Sequence, residues 1–254
     1  MCLINFQFNE HPHYKLIVAA NRDEFYNRPT ASAHFWEDNP LILAGRDLVQ
    51  MGTWLGVTKQ GRFAALTNFR DPNTETSIKI SRGKIVQNYL AGNESPDDFL
   101  ESLNREKEQY TGFNLIVGNP NELVYYNNIE AEIRDISAGT HGLSNHFLNT
   151  PWPKVTKGKA KLREYVLRQK EVQVNALFEI LSNDELAPDV DLPETGVGLD
   201  LERVLSPLFI KTPKYGTRSA TVLLVDNENN VTFVERTYEM GEFKEDNRFT
   251  FQLE

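Results

Sequence analysis

The chain has 254 residues, with 27 basic against 36 acidic side chains and a formal net charge of −9 at pH 7. This acidic balance argues against a nucleic-acid-binding protein, because contact with phosphate backbones needs a basic surface. One cysteine excludes an internal disulfide framework, and no apolar run reaches the roughly 18 residues of a membrane-spanning helix. We therefore expect one cytoplasmic domain over residues 1–254, without a secretory signal.

Two apolar runs near the N-terminus predict a β-hairpin. Residues 3–8 are apolar and aromatic, and residues 14–20 form a near-continuous apolar run of the buried-strand type. Four polar residues, Asn-Arg-Asp-Glu at 21–24, are expected to end the second strand. Because the end of one hairpin strand lies beside the start of the other, the hairpin would bring Arg22 and Asp23 close to Cys2.

The middle of the chain alternates between strand and helix signals. Residues 25–50 have the composition of an extended loop with a short strand at 40–44, either the wall of a pocket or a surface connection. A second hairpin is predicted over 52–57 and 62–68. Helices follow at 81–91 and from Ser95, which can cap a helix whose first residue is a proline. Further strands are predicted at 113–117, 123–126, 132–136 and 140–143.

The C-terminal part begins with helices and ends with strands. Residues 154–170 are rich in Lys and Arg, and their apolar residues recur at helical spacing. We interpret them as a helix with a solvated charged face rather than a nucleic-acid patch. A second helix at 174–181, an acidic loop and a short helix at 199–205 precede strands at 219–225, 231–236 and 248–253. Strands grouped at both ends with helices between them predict an α+β fold of two mainly antiparallel sheets covered by helices.

Cys2 is the candidate nucleophile. A small second residue generally allows removal of Met1, which would leave a thiol and a free α-amine on the same Cα atom. The amine has a reference pKa of about 7.7–8.0 and the thiol about 8.5, so the amine can take the thiol proton near neutral pH. The alternative is that a lone cysteine is a small buried hydrophobic residue.

Four further residues supply what amide cleavage by Cys2 would need. Asp23 would hold the α-ammonium, and Arg218 would lower the thiol pKa or balance the charge of the site. Asn68 and Asn145 each follow an apolar run with a side-chain amide that suits donation to an oxyanion. The alternatives are turn residues for the two asparagines and a simple salt bridge for Arg218.

Three residues are candidates for contact with the substrate. They are Asn21 and Arg22, which flank the nucleophile in the predicted hairpin, and Trp54. Trp54 stands in a Gly-Thr-Trp-Leu-Gly block, where it either packs the core or lines a pocket.

Several blocks of the chain resemble the NRDE family, also called the Transport and Golgi organisation protein 2 family. The resemblance rests on Cys2 and on residues 21–29, 52–56, 65–68, 112–115, 142–145, 150–152 and 215–218. It implies an N-terminal-nucleophile (Ntn) hydrolase-like fold, a four-layer αββα sandwich. More distantly, the chain is similar to choloylglycine hydrolases. This likeness implies that Cys2 is the nucleophile and that Asp23, Asn68, Asn145 and Arg218 correspond to the aspartate, the two asparagines and the late arginine of that group. Those enzymes have an arginine three residues before the aspartate, where this chain has Ala20.

Two functions are compatible with these features. The first is a hydrolase or acyltransferase that cleaves a non-peptide amide or acyl bond through a thioester on Cys2. The second is a non-catalytic carrier of haem or an acyl lipid on the same fold. No cofactor is required, although haem is a possible ligand. The five histidines show no zinc-binding spacing, so no metal site is predicted.

Overall fold

The computed structural model of the protein describes residues 2–70 and 79–254. The strands are β1 (Cys2–Phe8), β2 (Tyr14–Phe25), β3 (Thr30–Phe35), β4 (Ile42–Asp47), β5 (Leu55–Thr58), β6 (Phe63–Asn68), β7 (Phe113–Asn119), β8 (Glu122–Asn127), β9 (Glu132–Asp135), β10 (Gly139–Leu143), β11 (Tyr215–Asp226), β12 (Asn230–Glu239) and β13 (Glu242–Gln252). The helices are α1 (Gly83–Ala91), α2 (Pro96–Arg105), α3 (Pro153–Arg168), α4 (Val174–Leu181) and α5 (Leu199–Val204).

The chain divides into two compact units. The first consists of Met1–Asn27 and Ala138–Thr250, and the second of Arg28–Ser137 and Phe251–Glu254. The sequence-based expectation of one domain over residues 1–254 stays a prediction, and each unit is described by itself.

The first unit contains a six-stranded sheet in the order β10-β1-β2-β11-β12-β13. Helices α3 and α4 cover one face of this sheet. Alternate residues of β2, Ile17 and Ala19, pack there against Leu162 of α3 and Phe178 of α4. Burial of such side chains stabilises the folded chain by roughly 1.5–3 kcal/mol for each large aliphatic or aromatic residue. At the end of the sheet that carries Cys2, Leu3 packs in the same way against Trp152 and Val155 at the start of α3.

The second unit contains a seven-stranded sheet in the order β3-β4-β5-β6-β7-β8-β9. Helix α1 packs on β4, β5 and β6, and α2 packs on β8. Helix α2 begins as predicted, with the Ser95 hydroxyl accepting the backbone N–H of Asp98 at 3.1 Å and Pro96 in the first turn.

The predicted α+β fold class is confirmed, since both sheets are antiparallel and both carry helices. Most predicted elements are present within a few residues of their expected bounds. One difference matters for function: β2 does not end at Ala20 but continues through the polar block to Phe25. Pairing with β11 on its other edge extends the strand, so the polar side chains lie within the sheet. A second difference is β3, a strand in what was predicted as loop.

No helix in the described part of the chain is long and apolar enough to cross a membrane.

Candidate active site

The register of the N-terminal hairpin determines the neighbours of Cys2. Strands β1 and β2 pair so that Cys2 lies opposite Arg22 and Leu3 opposite Asn21. Residues directly opposite each other in an antiparallel pair have side chains on the same face, about 4.5–5.5 Å apart at Cβ. Arg22 is therefore the cross-strand neighbour of Cys2, as the predicted hairpin requires. Asp23 projects to the other face, which the helices cover.

Strand β11 supports Asp23 from its other side. Thr217 lies opposite Asp23, and its hydroxyl donates to Asp23 Oδ1 at 2.8 Å. The Tyr215 hydroxyl donates to the backbone carbonyl of Asp23 at 3.0 Å. The register shifts between Thr217 and Ser219, so Arg218 lies in an irregularity of the sheet. Its guanidinium donates to the carbonyl of Phe25 at 2.9 Å, which keeps it at the same end of β2.

Asn145 reaches the site from the third neighbouring strand. Strand β10 pairs with β1 up to Leu143 opposite Ile4, and Ser144 and Asn145 continue towards Cys2. The Ser144 hydroxyl lies 3.0 Å from the Cys2 carbonyl oxygen and 3.1 Å from Asn145 Oδ1. The side-chain amide of Asn145 thus brings an NH₂ group to the end of the sheet that carries Cys2. That is the donor an oxyanion would need.

The Cys2 thiol lies in an enclosed environment, although the residue as a whole is partly exposed. Burial raises the pKa of the thiol, and the nearby Asp23 carboxylate acts in the same direction. The positive charge of the N-terminus opposes this increase most strongly, and the Arg22 guanidinium and the backbone N–H of Asp23 add to it without reversing the increase in pKa. The thiol is therefore protonated at neutral pH, and nucleophilic attack requires a base.

Asp23 is buried and has a charged neighbour that the sequence interpretation missed. Burial raises the pKa of its carboxyl, and the positive charge of Lys154 is the largest influence in the opposite direction. Lys154 is buried in the first turn of α3, so the prediction of a solvated face over 154–170 is wrong at this position. A cation in the first turn of a helix interacts unfavourably with the helix dipole. This unusual placement of Lys154 was the sign in the sequence that the residue differs from the other lysines and arginines of the helix.

Several charged side chains lie at this end of the sheet. Arg22 pairs with Glu24 at 3.7 Å, and only 11% of its side chain is exposed. Burial lowers the pKa of Arg218, and the charge of Arg22 lowers it further. Arg22, Lys154 and Arg218 lie at this end of the sheet with the carboxylates of Asp23 and Glu24, and Glu239 also acts on Arg218. Positively charged groups here can attract a negatively charged substrate group or intermediate.

Asn21 has a structural position. Its buried amide donates to the carbonyls of Leu181 at 3.0 Å and Leu208 at 2.8 Å. These two bonds use both amide hydrogens to fix the end of α4 and the segment before β11. Asn21 thus holds the helical layer, and its predicted contact with the substrate stays a prediction.

The two remaining predicted residues belong to the second unit. Asn68 is the last residue of β6 and is partly exposed, while Trp54 precedes β5 and accepts the N–H of Leu66 at its backbone carbonyl. Their roles as oxyanion donor and pocket wall stay predictions. Among residues 2–70 and 79–254, no group of three His, Cys, Asp or Glu side chains is placed to hold a metal ion.

Comparisons with known proteins place the chain among relatives. The family model described as Transport and Golgi organisation 2 matches residues 1–240. A human Transport and Golgi organization protein 2 homolog is 38% identical over 258 residues, which is 93% of each chain. The Drosophila melanogaster protein of the same name is 30% identical over 266 residues, covering 93% of this chain and 92% of its own.

A solved structure shares the fold. The C2A mutant of a conjugated bile acid hydrolase from Clostridium perfringens superposes with a TM-score of 0.53, covering 99% of this chain and 97% of its own at 10% identity. This likeness confirms the Ntn-hydrolase-like fold expected from the sequence. With the family model over most of the chain and relatives above 30% identity, the chain belongs to the Transport and Golgi organisation 2 family.

Proposed function

We propose that this protein is an N-terminal cysteine hydrolase that cleaves a non-peptide amide or acyl bond through a thioester on Cys2. The observation that carries the proposal is that Arg22, Asp23, Asn145 and Arg218 lie at the same end of the six-stranded sheet as Cys2, with Arg22 on the face of the thiol and Asp23 on the face that the helices cover. The fold supports the proposal, because the structural relative described above is a hydrolase of conjugated bile acids.

The first step of the proposed reaction is activation of the thiol. Removal of Met1 frees the α-amine of Cys2 on the same Cα atom as the thiol. Because burial raises the thiol pKa, the proton has to be taken up during attack, and the neutral α-amine is the base within reach. Asp23 holds and orients the amine, as an acidic partner at the strand end.

The second step forms the thioester. Sγ bonds to the acyl carbon, the carbonyl oxygen becomes an oxyanion, and the bond to the leaving amine breaks as that amine receives the proton from the α-ammonium. The α-amine of Cys2 then acts as the base for a water molecule that attacks the thioester. This attack releases the acid and restores the thiol. Asn145 donates to the oxyanion, and we retain Asn68 as the second donor on sequence grounds.

Substrate binding in this proposal uses Arg22 and Trp54. Arg22 lies on the same face as Cys2, where it can pair with an anionic group of the substrate. Trp54 would form a pocket wall. We place the reaction in the cytoplasm, since a reducing compartment keeps a single reactive thiol reduced.

The alternative of a haem or acyl-lipid carrier needs neither a base nor an oxyanion donor. The buried Asp23 and Asn145 beside Cys2 therefore favour the hydrolase. A haem titration of wild type and Cys2→Ala discriminates between the two functions. A Soret band that disappears in Cys2→Ala would support ligation by the thiol and the carrier.

The decisive experiment combines intact mass with acyl trapping. Intact mass should show a chain that begins at Cys2. A panel of p-nitrophenyl esters of short and long acids should then add one acyl group to the peptide that begins at Cys2, in a form that hydroxylamine removes as expected for a thioester. The protein is quenched and digested in acid, because the acyl group would otherwise move from sulfur to the neighbouring α-amine. Cys2→Ser is the matched control, because serine also permits removal of Met1 but forms no thioester. Retention of Met1 would refute the mechanism, since the α-amine would be blocked.

A further inference from the structure

Lys154 occupies a position that is unfavourable for an ammonium group in two ways. Only 3% of the residue is exposed, and removal of a charge from water costs several kcal/mol unless an opposite charge compensates it. The residue also lies in the first turn of α3, at the positive end of the helix dipole. A lysine buried there requires an anionic partner.

The packing of α3 indicates which anion this is. Trp152 and Val155, on either side of Lys154, cluster with Leu3 of β1 and with Leu208. Leu3 lies opposite Asn21, and Asp23 projects to the same face two residues further along β2. The first turn of α3 therefore covers the face of the sheet from which the buried Asp23 carboxyl emerges.

Other groups around Asp23 do not replace Lys154. Thr217 and Tyr215 of β11 donate neutral hydrogen bonds to its carboxyl and carbonyl oxygens. Arg22, on the same strand, projects to the opposite face and pairs with Glu24. Among positive side chains, Lys154 also has the strongest electrostatic influence on Asp23.

We propose that Lys154 is a positioning residue: its ammonium attracts the Asp23 carboxylate between α3 and the sheet, without a direct hydrogen bond, and keeps that carboxylate beside the α-amine of processed Cys2. The catalytic consequence rests on the function proposed above, whereas the ion pair does not. Without the lysine, burial would raise the pKa of the Asp23 carboxyl further, and the neutral acid would hold the amine less firmly. Misplacement of a reacting group by about 1 Å costs up to about 100-fold in rate, so we expect Lys154→Met to slow acylation of Cys2 about 10- to 100-fold.

A double-mutant cycle tests the pair without knowledge of the substrate. The variants are Lys154→Met, Asp23→Asn and their combination, and the readouts are iodoacetamide alkylation of the single thiol and the midpoint of thermal unfolding. Lys161→Met, at an exposed position of α3, is the matched control and should behave as wild type.

The pair predicts that the two changes are not additive. In the Asp23→Asn background, Lys154→Met should leave the alkylation rate unchanged. The double variant should unfold at a higher temperature than Asp23→Asn alone, because the Lys154→Met change removes a buried ammonium that has lost its anion. Equal effects of Lys154→Met in both backgrounds would overturn the proposal. If Lys154→Met does not fold alone, recovery of folded protein in the double variant supports the pair, and failure of the double variant to fold refutes it.

Acyl trapping on the same variants separates this proposal from the proposed function. No thioester in wild type together with a non-additive cycle would refute the hydrolase and leave the ion pair standing. A thioester in wild type that forms equally fast in Lys154→Met would support the hydrolase and refute a positioning function for Lys154.

Discussion

The ends of strands β2 and β6 look alike in sequence but differ in structure. Both follow an apolar run with polar residues, 21–24 in the first unit and 67–68 in the second. At the end of β6, Thr67 is buried and neutral and accepts the Asn114 amide at 3.2 Å, and the Tyr125 hydroxyl donates to that amide oxygen at 2.7 Å. At the end of β2, the buried polar group is a carboxyl, with charged neighbours on both faces of the sheet.

The difference separates two kinds of polar residue in a buried strand: those that stabilise the fold and those that take part in chemistry. A neutral hydroxyl–amide–phenol chain such as that of Thr67 and Asn114 satisfies its own hydrogen bonds and rigidifies a core. Ionisable groups held with shifted pKa values, such as Cys2 and Asp23, are costly to bury and are concentrated at functional sites. The β2 end is therefore where we expect substitutions to change chemistry, and the Thr67 network is where we expect them to change stability.

The largest effect is expected at Cys2. Cys2→Ser and Cys2→Ala should abolish the thioester and lower turnover by at least about 1,000-fold, because the proposed nucleophile is removed. The thermal midpoint should stay close to that of wild type, since the residue lies at a strand end and is partly exposed. Peptide mass mapping and thermal unfolding measure the two quantities. An acylated Cys2→Ala protein would contradict the assignment.

The next effect concerns the oxyanion donors. Asn145→Ala should lower kcat by roughly 100- to 1,000-fold, which is the cost of removing one such donor elsewhere. Steady-state kinetics on the ester released fastest in the trapping panel would measure it. An Asn145→Ala enzyme as active as wild type would remove Asn145 from the site.

Asn68→Ala, measured with the same kinetics, tests whether the ends of β2 and β6 differ in function. A loss as large as that of Asn145→Ala would show that the second unit supplies the second donor, as the sequence predicts. Unchanged kinetics would confine the chemistry to the first unit.

Much of the site's placement could be predicted because it depends on local pattern. A hairpin of two apolar runs leaves little choice of register, so Arg22 and Asp23 had to lie near Cys2. The start of α2 was equally predictable, since Ser95 and Pro96 act within a few residues of each other. Such features depend only on residues that are close in sequence and on the regular spacing of apolar residues.

Contacts between distant segments could not be predicted in the same way. Lys154 belongs to a run of lysines and arginines, and only the docking of α3 on β1 decides that this one is buried. Similarly, the extension of β2 to Phe25 depends on pairing with β11, almost 200 residues later. The amides of Asn21 and Asn145 look equivalent in sequence, and their different hydrogen-bond partners follow from tertiary structure.

A smaller effect is expected in the neutral network of the second unit. Tyr125→Phe removes the hydroxyl that donates to Asn114 and leaves a buried acceptor without that donor, so the free energy of unfolding should fall by about 1–3 kcal/mol. Urea unfolding measures this loss. The alkylation rate of Cys2 in the folded variant should equal that of wild type. A change in that rate would show that the network also shapes the active site and would weaken the distinction between the strand ends.

The smallest and most direct effect is the pH dependence of the Cys2 thiol. Because burial raises its pKa and only the thiolate reacts with iodoacetamide, the alkylation rate of the native protein should increase with pH through a higher midpoint than that of the same protein unfolded in urea. Both states are measured on the same chain, and the single thiol leaves no ambiguity about the site. At pH 7 the native thiol should react more slowly than the unfolded one. A native midpoint below the unfolded one would mean that the protein stabilises the thiolate in advance, and the reaction would then need no base at the N-terminus.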